Sequence, residues 1–67
     1  MENRKPARDL VPGDMYRDTL GRVLTVVWSG ADAGMARIHA ADESRALVRS
    51  TIPGATLVEV VGLLRRD

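Results

Sequence analysis

The sequence contains no cysteine and no phenylalanine, and it has a single histidine. Without cysteine there is no disulfide, and one histidine with no thiolate gives no structural zinc site of the usual kind, so neither common support of a small domain is present. A chain of 67 residues buries only about 60% of the surface that unfolding would expose. A core of aliphatic residues, or a partner, must therefore supply the stability.

The sequence also lacks an excess of one charge, because 10 basic residues against 9 acidic ones leave a formal net charge of +1. This balance provides no overall field that would attract nucleic acid or an anionic membrane. The first residues lack the apolar segment of a signal peptide, and no apolar run is long enough to span a bilayer. We therefore expect a cytoplasmic protein without a membrane partner. Arginine greatly outnumbers lysine, a bias typical of high-GC coding that points to a bacterial or phage source.

The segment from Arg22 to Ser29 predicts a long, largely buried β-strand at the centre of the fold. Its valines and its tryptophan pack well on a pleated surface, and Gly21 and Gly30 bound the run. Residues 10–64 are predicted to form a single domain around this strand. Residues 1–9 carry Arg4, Lys5 and Arg8 with almost nothing apolar, so they predict a flexible basic arm, and residues 65–67 predict a charged tail.

Turn residues divide the rest of the domain. Proline and glycine in 11–14 predict a tight turn that leads into a strand over 15–18, and Asp18 to Gly21 predicts a hairpin connection to the central strand. Glycines in 30–34 indicate a loop. Residues 50–55 contain another proline–glycine pair and predict a turn or a single 3₁₀ turn before a last strand over 56–61.

Residues 35–48 allow two interpretations. They could form a helix, which would make the fold α+β, but their larger apolar residues do not form one stripe at helical spacing. The favoured interpretation is a β-hairpin turning through 41–43, which pairs Ile38 with Ala46 and Ala36 with Val48. In that pairing four basic side chains share the opposite face: Arg37, His39, Arg45 and Arg49.

Five short strands, a proline–glycine turn before the first and the Ile52-Pro53-Gly54-Ala55 turn before the last together resemble the Src-homology-3-like small barrel. The resemblance covers about residues 11–61 and is one of architecture, without a family signature. It implies an all-β, five-stranded barrel that binds another molecule, and such barrels bind peptides, RNA, DNA or one another. Proline-rich peptides are disfavoured as ligands because their grooves need several aromatic residues, whereas this chain has Tyr16 and Trp28.

No residue set indicates catalysis, a metal site or a cofactor. His39 is the sole histidine available as a base, there is no cysteine nucleophile, and no glycine-rich loop has the spacing of a phosphate site. The carboxylates fall mainly in turns, where they cap backbone amides. We therefore expect a protein that is not an enzyme.

Two surfaces are candidates for binding. The first is apolar: Leu57 and Val61 share the solvent side of the last strand with Glu59, and exposed apolar residues often mark an interface. Trp28 is a possible anchor for it, although as the largest aromatic residue it is more simply assigned to the core. The candidate protein-interface residues are Trp28, Leu57, Val61 and Leu63.

The second surface is the basic face formed by Arg37, His39, Arg45 and Arg49, whose guanidinium groups suit phosphate or carboxylate. The sequence thus predicts a small binding module that acts through protein–protein association, including association with itself. A host-directed adaptor or inhibitor of a phage or mobile element is a variant of this hypothesis. Nucleic-acid binding through the basic face is the alternative.

Overall fold

The computed structural model describes residues 3–63, with Leu63 described by its backbone. All six strands pair antiparallel in one sheet, in the order β1-β6-β2-β3-β4-β5, and the sheet is not closed into a barrel. The all-β prediction is confirmed, with six strands where five were expected. The predicted tail 65–67 lies outside the described residues. The strands are β1 Arg4–Pro6, β2 Asp14–Arg17, β3 Val23–Asp32, β4 Met35–Ala41, β5 Leu47–Pro53 and β6 Leu57–Leu63.

The turns between these strands follow from residues that tolerate or stabilise a sharp change of direction. Gly13, at φ +98°, follows Pro12, and the amide of Asp14 donates to the carbonyl of Val11 at 3.0 Å. Gly21, at φ +81°, completes the β2–β3 hairpin. In that hairpin Asp18 accepts hydrogen bonds from the amide of Leu20 at 3.0 Å and the amide of Arg22 at 2.8 Å. Both predicted turns are therefore confirmed.

The central strand is longer than the sequence predicts. It runs through Gly30 to Asp32 and turns on two residues, Ala33 at φ 52° and Gly34 at φ 80°. Two successive left-handed residues form the hairpin turn that matches the twist of the flanking strands. The predicted loop over 30–34 is therefore wrong in extent, because cross-strand pairing with β4 keeps all but two of its residues extended.

The favoured hairpin over residues 35–48 is confirmed, and the helical alternative is wrong, but the pairing differs from the predicted one. Ile38 lies opposite Ser50 rather than Ala46, and Ala36 lies opposite Ile52 rather than Val48. The connection is longer because the side chain of Asp42 organises it, accepting hydrogen bonds from the amides of Ser44 and Ala46, each at 2.9 Å. The shift is an even number of residues, so the side chains of β4 and β5 stay on the faces predicted for them, whereas Arg45 lies in the turn.

The predicted flexible arm is wrong for residues 4–9; residues 1 and 2 lie outside the described part. Arg4 to Pro6 form β1, which pairs with β6, and Ala7–Asp9 form a 3₁₀ turn. Ala7 and Leu10 are each 1% exposed, so this segment covers the inner face of the sheet. Hydrogen bonds from the amides of Ala7 to Thr56 (2.8 Å) and of Arg8 to Gly54 (3.1 Å) attach it to the β5–β6 turn. The composition did not reveal this because two small apolar residues are enough to anchor it.

The core lies on the inner, concave face. Tyr16 of β2 and Ser50 of β5 line the same groove, so the sheet curls until strands that are not neighbours come close together. Burial raises the pKa of the Tyr16 hydroxyl, and the nearby Asp18 raises it further. Four half-buried residues complete the core: Val48, Ile52, Val58 and Val60. The fully buried hydrophobic residues are Ala7, Leu10, Tyr16, Leu24, Val26, Ala36, Ile38 and Ala40.

Among residues 3–63, Asp14 is the one charged side chain that is buried, at 2% exposure. Its Oδ2 lies 2.6 Å from Nζ of Lys5 in β1 and accepts a hydrogen bond of 3.0 Å from the amide of Val11. A buried carboxylate needs such partners because its desolvation is costly. The ion pair therefore connects β1 to the start of β2.

We expect Lys5→Met to destabilise the protein by about 2–3 kcal/mol, because it leaves the Asp14 carboxylate buried without its cation. The measurement is urea unfolding followed by tryptophan fluorescence. Glu59→Gln is the matched control: it breaks the exposed pair with Arg17 (3.7 Å) and should cost less than about 1 kcal/mol. Equal losses from the two variants would contradict the role of the buried pair.

The β4–β5 turn should make stability depend on pH in the acidic range. The hydrogen bond from the Ser44 hydroxyl, together with the amides of Ala46 and Ser44, lowers the pKa of Asp42. A carboxylate whose folded pKa is lowered contributes stability above its unfolded pKa of about 3.9, and this is lost as pH falls through the folded pKa. Asp42→Asn should lower the Tm at neutral pH and reduce the fall in Tm below about pH 4. Glu43→Gln in the same turn should behave like the wild type.

Candidate binding surface

One nearly uncharged strip of side chains crosses the outer face of the sheet. Cross-strand pairing aligns Met15, Thr25, Ala41 and Leu47 on four neighbouring strands. Val27 and Trp28 lie beside this row on β3. Val27, Trp28 and Leu47 are 51%, 47% and 52% exposed. We call these six residues the outer band.

A β-bulge in β3 places two large side chains together in this band. The register with β4 shifts between Val26 and Trp28, so Val27 has no direct partner. Val26 points into the core at 1% exposure, while both Val27 and Trp28 are exposed. The assignment of Trp28 to the core is therefore wrong. Simple alternation along the strand could not reveal this, because a bulge interrupts it.

Trp28 has a defined environment although it is exposed. Its ring centroid lies 4.8 Å from that of His39, which is opposite it on β4, and the two ring planes are inclined by 46°. The far edge of the indole lies over Gly30, where an added Cβ would come within 2.8 Å of Cη2. The absence of a side chain at Gly30 thus allows the indole to lie along the sheet.

The structure brings three of the four predicted basic residues together beside Trp28. Arg49 lies opposite His39, and Arg37 lies one row further along the same face. Arg37 also makes a long, exposed ion pair with Asp32 at 3.9 Å. Arg45 is separate from this row: it sits in the β4–β5 turn at φ 68°.

The predicted apolar interface residues do not form one patch. Val61, 40% exposed, is the bulged residue of β6 beside Met15, so it adjoins the outer band. Leu57, 59% exposed, pairs with Pro6 toward the other end of β6. The side chain of Leu63 lies outside the described part of the structure.

Leu57 instead lines a groove that sequence reasoning missed. The groove has a volume of about 290 Å³ and lies between β5, the β2–β3 hairpin and the start of β6. Leu20, 75% exposed in the hairpin, forms part of its wall. The sequence signal for this groove was Leu20 itself, because a leucine is unusual in an otherwise polar turn. The apolar side chains of the groove are Tyr16, Leu20, Ile52, Leu57 and Val58.

Among residues 3–63, no group of three or more histidine and carboxylate side chains is arranged to hold a metal ion. In the same part of the chain, no helix has the length and apolarity needed to cross a membrane. Comparison with protein-family models, with curated proteins and with solved structures finds no match for this chain. The arguments about function therefore depend on the surface itself.

The placement of Trp28 can be tested through its glycine neighbour. Gly30→Ala should displace the indole from the sheet and shift its fluorescence emission to longer wavelength, because the new Cβ occupies the space of Cη2. The ring is exposed and can move, so stability should change by less than about 1 kcal/mol. Gly62→Ala on β6 is the control, since nothing lies within 4 Å of a Cβ there. An unchanged emission spectrum in the Gly30 variant would contradict the described ring position.

Proposed function

We propose that this protein is a small, non-enzymatic binding module of the Src-homology-3-like type that acts by associating with another protein through the outer band. The observation that carries the proposal is the half-exposed Trp28, which lies between the uncharged row of the band and the row of His39 and Arg49. Tryptophan is the residue type most enriched at the energetic centres of protein interfaces. The partner to test first is a second copy of the chain.

The surroundings of the band support an interface. Charged rows flank it: Arg17 pairs with Glu59 on one side, and Arg37 pairs with Asp32 on the other. An apolar centre with a charged, solvated rim is typical of protein interfaces. The four paired charges contribute no net charge, and Arg49, in the row next to Trp28, adds one positive charge to this rim.

The strand order supports the Src-homology-3-like part of the proposal. Strands β2 to β5 are neighbours in chain order. The last strand, β6, returns to pair with β2, which gives the order β6-β2-β3-β4-β5. Small barrels of this type have the same connectivity, with a strongly bent sheet around a minimal core. The extra strand β1 adds to the outer edge of β6.

The test is the mass in solution, measured by size exclusion with light scattering at low and high salt, with absorbance at 260 nm recorded. We expect an assembly that is free of nucleic acid and persists in high salt, since apolar contacts are not screened. Trp28→Ala should raise its dissociation constant by about thirtyfold or more. Val11→Ser removes an equally exposed apolar side chain outside the band and should have no effect. A monomer at every concentration would contradict self-association.

Nucleic-acid binding is a second candidate, favoured by the placement of Arg37, His39 and Arg49 beside the Trp28 ring. Single-stranded nucleic acids bind where basic residues flank an aromatic platform for the bases. Lys5, from the predicted basic arm, is engaged with Asp14. A salt-sensitive complex with absorbance at 260 nm would favour this candidate. Replacing Arg37 and Arg49 by Gln should then reduce the salt dependence by about two phosphate contacts, while Arg8→Gln should not.

A further inference from the structure

Strand β5 ends the sheet with an open edge. The amide of Asp42 donates to the carbonyl of Ala46 at 3.0 Å, which fixes the phase of the β4–β5 ladder. Because hydrogen-bonded and non-bonded pairs alternate in an antiparallel ladder, the amides and carbonyls of Leu47, Arg49 and Thr51 point away from β4. No strand of the described part pairs with β5 on that side.

This edge lacks most features that usually protect an exposed strand. The opposite edge of the sheet is blunted, because β1 has three residues and ends in Pro6. β5 has seven residues, and its proline stands at the end, at Pro53. An open edge of this length is a template for pairing with another strand.

The two sides of the open edge differ in chemistry. On the inner side, Ser50 and Ile52 of β5 line the groove opposite Leu57. On the outer side, Leu47, Arg49 and Thr51 are exposed. Arg49 is the sole charged residue of β5, and it lies opposite His39. The edge therefore presents on one side a groove with an apolar wall, bordered by Arg17, Asp18, Arg22 and Glu59, and on the other side a cationic group.

We propose that the β5 edge binds an extended peptide segment of another protein, one that alternates apolar and acidic residues, as a seventh strand of the sheet. Side chains of an added strand alternate between the two faces. Its apolar residues would enter the groove beside Ile52 and Leu57, and an acidic residue would lie beside Arg49. Main-chain hydrogen bonds to the edge supply affinity, and the alternating side chains supply selectivity.

This site is separate from the proposed association through the outer band except at Leu47, whose side chain belongs to the band and whose main chain belongs to the edge. The groove lies at the margin of the sheet, between β5 and the β2–β3 hairpin, whereas Trp28 lies on the outer face of β3. Leu57 and Leu20 are outside the band. Loss of peptide binding with self-association intact would therefore locate the failure in the edge site alone.

The experiment titrates the isotopically labelled protein with a capped synthetic peptide that alternates valine and glutamate, and follows backbone amides by NMR. We expect the largest shift changes at the amides of Leu47, Arg49 and Thr51. A peptide that alternates valine and lysine should bind at least tenfold more weakly, and Arg49→Glu should reverse this preference. Leu57→Ser should weaken binding by about tenfold through lost apolar contact, while Val11→Ser should not.

Two further peptides test the strand pairing itself. Methylation of every second backbone nitrogen removes the hydrogen-bond donors along one edge of the peptide strand. Two such peptides, methylated in the two alternating patterns, therefore lose the donors of opposite edges. One should no longer bind, and the other should bind nearly as well as the unmethylated peptide. A titration without shift changes would overturn the proposal. Equal binding of the glutamate and lysine peptides would also overturn it, as would equal binding of the two methylated peptides.

Discussion

A single sheet has two faces, and this chain has enough apolar side chains to bury one of them. With no second sheet and no long helix in the described part, the inner face is covered by curling the sheet on itself and laying the 3₁₀ segment across it. This curl brings Tyr16 of β2 and Ser50 of β5 to the lining of one groove, although their strands are not neighbours in the sheet. The other features of the molecule follow from this constraint, because every large side chain that the inner face cannot hold must lie outside.

Apolar residues are exposed because the inner face cannot hold all of them, and several of them are grouped in the outer band. The bulge in β3 directs Val27 and Trp28 outward together, while the cross-strand row beginning at Met15 extends the apolar strip across neighbouring strands. Glycine at position 30 then lets the indole lie flat against the sheet. A surface built in this way has a defined shape before any partner arrives, which reduces the entropy lost on binding.

The curl also leaves the sheet open. Closure would require β5 to pair with another strand, but its far edge stays unpaired and a groove remains beside it. The chain thus presents two different surfaces, the outer band and a polar backbone edge. The N-terminal segment is fixed on the opposite side by the Lys5–Asp14 ion pair and by its pairing with β6. The N-terminal segment therefore stabilises the β6 side of the sheet and leaves the far edge of β5 unpaired.

Much of the fold was predictable from local patterns. Glycine and proline located the turns at Gly13 and Gly21, and alternation correctly placed Leu57 and Val61 on the solvent side of the last strand with Glu59. The hairpin after Met35 was predicted although its pairing was misplaced, because an even shift in register leaves the faces unchanged. For the same reason Arg37, His39 and Arg49 were correctly placed on one face, and Arg45 was misplaced because it belongs to the turn.

The sequence by itself determined five of the six strands, the main turns and the face of most side chains, since these depend on residues close together in the chain. The tertiary structure decided the role of residues 4–9, the exposure of Trp28, and the groove between Leu20 and Leu57. Each of these depends on contacts between segments distant in sequence: β1 needs β6 as its partner, the bulge at Val27 is defined only against β4, and the groove exists because the β2–β3 hairpin lies beside β5. No local pattern encodes such contacts, because their free energy arises only when the sheet has curled.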